Sequence, residues 1–421
     1  MNNVLTLAVG PVAPDGRHAV DGACWIQASE VSDHRPGPDL FVVQQTPSLG
    51  TGQAMRVYTV ARALAGSNGR PGLIVAYVRF GADAPDAAFQ SIPGIEFHEI
   101  IPSRGLRRAL VYGWHRARRT PEAWARGISP ELIADTREIL ANRNVRRIIA
   151  DGPMVASALL SSLAGRRAVI YNAHNLESSF RYELSGQRLG SLRSAEAAER
   201  RLLARSSEAW MVSEADVAGA RALYPSASIR YVPNVVDTDA IRPRLSNVAR
   251  PHGLMVADFL YEPNLNALRF LVEDVMPSVW RSHPEIRLSL VGRGLEQLRP
   301  EDPRIEVRGF VPSLEAEYDR AGCALVPLMQ GGGTPFKFIE ALAYGVPVVA
   351  TGRAAAGLSV VADKHYLRAD SAAAFASAIV RLLANNDPQV VASLSQCGRE
   401  LVERRYSIEA LARLIAPSTV L

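Results

Sequence analysis

The chain reads as an α/β protein made of two doubly wound halves. Three observations predict this. Short apolar runs that fit buried strands alternate with helical segments along nearly the whole length. Twice, at 39–64 and at 323–344, a strand passes through a glycine turn into a helix. At 421 residues the chain is too long for one ordinary core, so two domains of roughly 200 residues each follow.

Composition narrows the classes. A hydrophobic content of 48% with 21% charged residues is ordinary for a globular protein, and no run approaches the ~18 to 20 apolar residues of a membrane span. Cys24, Cys323 and Cys397 are widely spaced and show no CxxC or Cys/His ligand pattern. They suit a reducing cytoplasm and no structural zinc or other metal. The N-terminus has a brief apolar segment without a basic region, which argues against a secretory signal. A net charge of +5 is modest, so the placement of arginine matters more than its total.

Residues 1–38 carry Pro11, Pro14 and Pro36 without periodicity and are expected to form an N-terminal extension. The first domain is expected over 39–240. Asp39 to Gln45 is its first strand. Gly50 and Gly52 then make a flexible turn, and Val57, Val60, Ala61 and Leu64 recur at helical spacing until Gly66. Strands follow at Leu73–Val78 and Ile95–Ile100.

Residues 103–127 are the most basic stretch, with seven arginines interleaved with Leu110, Trp114 and Trp124. The pattern suits an anionic membrane surface or an anionic acceptor, with a solvated helix covering the core as the plain alternative. No fold-specific nucleic-acid motif accompanies it, so no nucleic-acid partner is expected. Helices over 129–142 and 153–164 bracket a strand at 147–150, and the strand Ala168–Tyr171 leads into NAHNLES. His174 stands just past that strand's C-terminal end, where open α/β sheets place ligands, although a lone histidine is usually structural. Asn175 and Glu177 stand in the same loop. Strands at 208–212 and 229–232 flank a helix capped by Ser213, and the second strand ends in PNVVD.

The Pro- and Arg-rich segment 241–253 marks the boundary to a second domain, expected over 241–405. Its strands are Leu254–Ala257, Arg287–Val291 and Ile305–Arg308, with a helix over 264–280. The second strand runs into Gly292-Arg293-Gly294 and the third into Gly309-Phe310-Val311. Cys323–Leu328 is a buried strand, after which Gly331, Gly332 and Gly333 allow a tight turn and close approach of a ligand. Thr334 is expected as N-cap with Pro335 first in the helix, and Gly345 with Pro347 ends it. Lys337 falls in the first turn, where the helix dipole disfavours a cation; an anion bound at the helix start, or an intrahelical pair with Glu340, accounts for it. Lys337 and Lys364 are the chain's only lysines. Glu340 lies a turn further along the same face, able to accept from sugar hydroxyls. Residues 406–421 end the chain as an amphipathic helix.

GGGTPFKFIEALAYGVPVVAT resembles the signature of the retaining glycosyltransferases of family four. The likeness extends to the GTG turn, the histidine loop, the VGRG and GFV turns and PNVVD, where Val235 replaces a glycine. It implies the GT-B fold: two Rossmann-like domains facing across a cleft, with the last helix crossing back onto the first. It also implies transfer of a sugar from a nucleotide-diphosphate donor to a hydroxyl acceptor, as in bacterial polysaccharide or glycolipid biosynthesis, with no cofactor or metal ion. On this resemblance the catalytic residues are His174 facing the donor sugar, Lys337 and Glu340, the last holding the ribose. The donor site adds Gly50, Gly52, Gly292, Arg293, Phe310, Val311, Gly332, Gly333 and Thr334. Gly332 stands where many members carry a second glutamate. An early Arg and Lys pair is missing from ADFLYEPN, so Arg293 is expected to help Lys337 with the diphosphate. The implied location is cytoplasmic, at a membrane's inner face if the basic stretch meets lipid. A natural-product glycosyltransferase, an inverting or epimerising enzyme and a non-catalytic binding partner are the rivals.

Overall fold

A computed structural model describes residues 37–66, 72–79, 84–163, 165–179, 189–243, 250–296, 298, 300–330, 334–384 and 387–417. The proposed extension, up to residue 36, and the glycines Gly331, Gly332 and Gly333 lie outside them.

The first lobe is built on seven parallel strands: β1 (Asp39–Val43), β2 (Leu73–Val78), β3 (Ile95–Ile100), β4 (Ile148–Asp151), β5 (Val169–Asn172), β6 (Glu208–Met211) and β7 (Ile229–Tyr231). Their order in the sheet is β3-β2-β1-β4-β5-β6-β7, with Leu40 opposite both Ile74 and Ile148. Sequence explains position. DLFVV in β1 and LIVAYV in β2 are buried at every residue because helices cover both faces. IEFHEI alternates apolar with charged residues, is only partly buried, and forms the edge strand β3.

The second lobe repeats the plan with β8 (His252–Val256), β9 (Arg287–Val291), β10 (Ile305–Gly309), β11 (Cys323–Val326), β12 (Val348–Ala350) and β13 (Leu367–Arg368). Their order is β10-β9-β8-β11-β12-β13, again all parallel.

Three expectations need correction. The basic stretch is two helices, Leu106–Ala117 and Glu122–Gly127, separated at Pro121, which cannot continue the first. The helix expected over 264–280 runs from Glu262 to Ser282 but widens into a π turn at Phe270–Val275. That turn lies just ahead of Pro277, whose missing N–H removes one ladder bond. The helix after the glycines starts at Phe336, with Pro335 rather than Thr334 at the cap and no side-chain cap bond. Its end is as expected, with Gly345 at φ 69°.

After the helix Pro388–Arg405, the chain returns to the first lobe, where the helix Ile408–Ile415 lies along the helix Gly52–Ala65. Arg147 Nη1 donates to Ile415 O at 2.6 Å and Arg230 Nη1 to Leu414 O at 2.6 Å, satisfying carbonyls that a helix end leaves open. Leu411 and Ile415 are fully buried there, each contributing about 1.5–3 kcal/mol.

Candidate active site between the lobes

The strand order of the first sheet reverses between β1 and β4, and that of the second between β8 and β11. In an open parallel sheet, such a reversal sends the two following connections apart and leaves a crevice beyond the strands' C-terminal ends. The loops from both reversals line one cleft of about 1240 Å³.

On the second-lobe wall the helix Phe336–Ala343 begins at the cleft. Its first turn presents backbone N–H groups without intrahelical partners, a natural seat for an anion. Lys337 Nζ donates to Asn264 Oδ1 at 2.7 Å, a neutral acceptor. Burial pushes its pKa down to about 8, opposed by the charge of Asp258. Asp258 is itself ion-paired with Arg293, so the arginine expected to meet a diphosphate is already half neutralised. Glu340 accepts from the Tyr318 hydroxyl at 3.3 Å, and burial lifts its carboxyl to about 7. Tyr344 stacks on Tyr318 with ring centroids 4.5 Å apart, and it borders the cleft with Glu340. Lys337 and Glu340 thus share one helix face without pairing to each other. Two polar atoms of this wall, Thr334 Oγ1 and Arg293 Nε, are buried with no hydrogen-bond partner among the described residues. Buried polar groups are rarely left so, and a bound polar ligand would satisfy both.

Glycine is required where β9 ends. Gly292 has φ 140°, and a Cβ there would meet Ala257 O at 1.7 Å. Arg293 follows it at the cleft, and Phe310 and Val311 on the next loop border the cleft too. Phe310 is an exposed aromatic ring on that wall.

On the first-lobe wall, Gly50 turns the chain at φ 112° and Gly52 opens the helix behind it. A Cβ on Gly52 would lie 3.5 Å from Phe336 Cδ2, so the two glycine-led helices meet nearly tip to tip. His174 follows β5, its Nε2 2.8 Å from Asp151 Oδ1. Asp151 ends β4, is fully buried, and also accepts from Asn172 Nδ2 at 2.7 Å. The loop carrying His174, Asn175 and Glu177 is clamped behind: Glu199 accepts from the amides of Glu177 and Ser178 at 2.5 and 2.9 Å, and Asp216 from that of Leu176 at 3.1 Å.

A buried arginine joins the two walls. Arg56 Nη2 donates to Asn172 Oδ1 at 2.6 Å, and Arg56 Nη1 to Val232 O at 3.1 Å and Asn234 Oδ1 at 3.2 Å. Asn234 Nδ2 in turn donates to Thr334 O at 3.0 Å, immediately before the second-lobe helix. One polar chain therefore runs from the histidine's carboxylate to the start of the anion-binding helix. Burial lowers the Arg56 pKa to about 10, opposed by Asp151 and Asp216, so it stays charged at neutral pH.

The expected residues His174, Lys337, Glu340, Gly50, Gly52, Gly292, Arg293, Phe310, Val311 and Thr334 all border the cleft, as do Asn175 and Glu177. Sequence reasoning missed Asp151, Asn172 and Arg56, and it met Asn234 only as part of PNVVD. Asp151 had a signal, a carboxylate closing a strand at the sheet's reversal point.

Residues 250–385 match the family described as Glycosyl transferases group 1. The matched residues span most of the second lobe. No curated protein matches the chain. Among solved structures, the chain is similar to sucrose-phosphate synthase from Thermosynechococcus elongatus, at TM-score 0.67 and 18% identity, covering 90% of this chain and 96% of that one. It is similar to Anabaena HepE in complex with UDP and glucose, at TM-score 0.61 and 15% identity, covering 90% and 98%. S. aureus TarM gives TM-score 0.63 at 9% identity, covering 90% and 98%. The two-lobed architecture is the GT-B fold. Among the described residues, no helix is long and apolar enough to cross a membrane.

Proposed function

We propose that the chain is a retaining glycosyltransferase of the family four type that moves a sugar from a nucleoside-diphosphate donor to a hydroxyl acceptor. The observation that carries this reading is the helix start at the cleft, with Lys337 in its first turn and Glu340 one turn on, facing His174 across the gap. Breaking the anomeric bond builds negative charge on the departing diphosphate. The free N–H groups, Lys337 and Arg293 meet that charge without needing a divalent ion. Glu340 accepts from ribose hydroxyls and Phe310 and Val311 border the base, which is consistent with HepE being solved with UDP and glucose. The acceptor enters along the first lobe beside Asn175 and Glu177, and the departing phosphate takes its proton.

The His174–Asp151 pair favours a second reading. An imidazole held by a buried carboxylate could itself take the acceptor's proton and drive an inverting displacement. The two differ in the anomeric configuration of the product, which NMR of the transfer product reads directly.

A thermal-shift screen of the full chain against nucleoside diphosphates and nucleotide sugars tests the reading. At 100 times Kd the cognate ligand adds about 2.7 kcal/mol, a rise of several degrees. If no nucleotide raises the melting temperature at millimolar concentration, the proposal fails. Binding without transfer or donor hydrolysis would leave a non-catalytic partner.

The working ionisation state is a charged Lys337 with an ionised Glu340. Glu340 loses its charge as pH falls through about 7 and Lys337 loses its charge as pH rises through about 8. The expected result is a narrow bell for kcat/KM in the donor, with its maximum between those values. A flat profile from pH 6 to 9 would remove both groups from the donor site.

A further inference from the structure

A second hollow, of about 290 Å³, opens on the first lobe away from the cleft. Arg118, Arg201 and Arg205 line it with the hydroxyl-bearing Thr120, Ser157 and Ser161, and no carboxylate among the described residues belongs to its wall. Arg201 Nη2 donates to Arg119 O at 2.8 Å, a neutral acceptor that leaves its charge uncompensated. Burial and the neighbouring Arg205 and Arg119 both disfavour the charged form of Arg201. Three like charges around one hollow repel each other, and an anion with several oxygens relieves them; guanidinium groups suit phosphate in particular.

Arg118 also belongs to a neighbouring surface. Its guanidinium lies 3.9 Å over the Trp114 ring. Trp114 closes a row with Leu106 and Leu110, spaced four apart on one face of the helix Leu106–Ala117. These side chains are 43%, 75% and 64% exposed, and Ile101 just before them is 59% exposed. The helix holds to the lobe by its other side, through buried His115 and partly buried Val111. A helix that merely covered the core would turn its leucines and tryptophan inward. Between Ile101 and Pro121 the sequence has six arginines and no acidic residue. An outward apolar row set among arginines that have no carboxylate partner among the described residues complements one kind of surface, an apolar layer beneath negative charge.

We infer that this face docks on an anionic lipid bilayer, with Leu106, Leu110 and Trp114 in the interface and a head-group phosphate in the hollow of Arg118, Arg201 and Arg205. The helix Glu122–Gly127 packs on the docking helix, and its Ala123 and Trp124 border the cleft. Resting on the sugar-transfer reading, this makes the acceptor a hydroxyl presented by a lipid-linked molecule.

The test is co-sedimentation of the full chain with phosphatidylcholine vesicles, with and without phosphatidylglycerol. The expected result is strong binding to the anionic vesicles only, falling as salt rises. Each Arg→Gln change at 118, 201 or 205 weakens binding about fivefold, and the triple variant about a hundredfold. Leu106→Ser with Leu110→Ser weakens it at least about tenfold. Equal binding to neutral and anionic vesicles, or anionic binding untouched by both sets of changes, overturns the inference. So does saturable binding of inorganic phosphate that displaces no protein from vesicles, which would make the hollow a site for free phosphate. Nucleotide thermal shifts on the same variants separate this from the transferase reading: they should stay at the wild-type value, and a failed vesicle test with intact nucleotide binding sinks only the docking surface.

Discussion

Replacing Lys337 by alanine is expected to lower kcat by roughly 10²–10³-fold, as loss of one preorganised charge does at other sites where charge develops, while KM for the donor changes by only a few-fold. The asymmetry follows from where the lysine stands. Before reaction the diphosphate carries the same charge whether or not Lys337 is present, and backbone N–H groups with Arg293 still hold it. As the anomeric bond breaks, extra charge gathers on the leaving oxygen. Only a cation already fixed nearby, here held to Asn264 and partly desolvated, stabilises that increment without reorganising. Glu340→Ala should show the opposite split, raising KM with a smaller change in kcat, because ribose contacts are present in ground and transition states alike. Steady-state kinetics of the two variants decide the matter. Unchanged kinetics in both, or losses in the same ratio of kcat to KM, would dissolve the assignment of roles.

Much of this was legible in the chain because it is local. LIVAYV and IEFHEI both read as strands from their local pattern, although only the assembled sheet shows that the second is an edge. The helix that begins at the cleft was legible from its glycines and its proline. Its first residue was not, because Thr334 followed by Pro335 satisfies the usual capping pattern. In the fold, the Thr334 carbonyl is drawn toward Asn234, a hundred residues away, and its hydroxyl is left without a partner among the described residues. Asp151, for all that it closes a strand, and Arg56 were missed for the same reason. An aspartate after three apolar residues looks like an ordinary helix cap, and its partner His174 is 23 residues on. Arg56 sits in a helix that reads as amphipathic, and nothing nearby foretells that its acceptors are 116 to 178 residues distant. Chemistry carried by one residue type at one helix start is visible in sequence; chemistry carried by a network closing over both lobes is visible only when the strands are in place.

That network yields the second large effect. Arg56→Met is expected to lose about 3–5 kcal/mol of stability, as when one member of a buried charged group is removed, measured as a lower urea midpoint at unchanged slope. Two contributions compete. Removing a guanidinium that is 2% exposed relieves its desolvation, and Met fills much of the same space, which would favour the variant. Against this, Asn172 Oδ1, Asn234 Oδ1 and the Val232 carbonyl all remain buried and lose their donor, at about 1–3 kcal/mol each. Asp151 and Asp216 also keep their negative charge without the cation that faced them. Three stranded acceptors, and two carboxylates that lose one facing cation, outweigh one relieved cation, so the loss wins. The consequence for function is specific: with Arg56 gone, Asn234 is no longer fixed, and the Thr334 carbonyl loses the amide that orients the start of the second-lobe helix. Donor affinity should fall along with stability, and Asn234→Ala added to Arg56→Met should cost less than the sum of the two single changes. Strict additivity of the pair, or a stability loss below about 1 kcal/mol, would mean the arginine is only a space-filler and that the lobes are held in register by the Ile408–Ile415 helix alone.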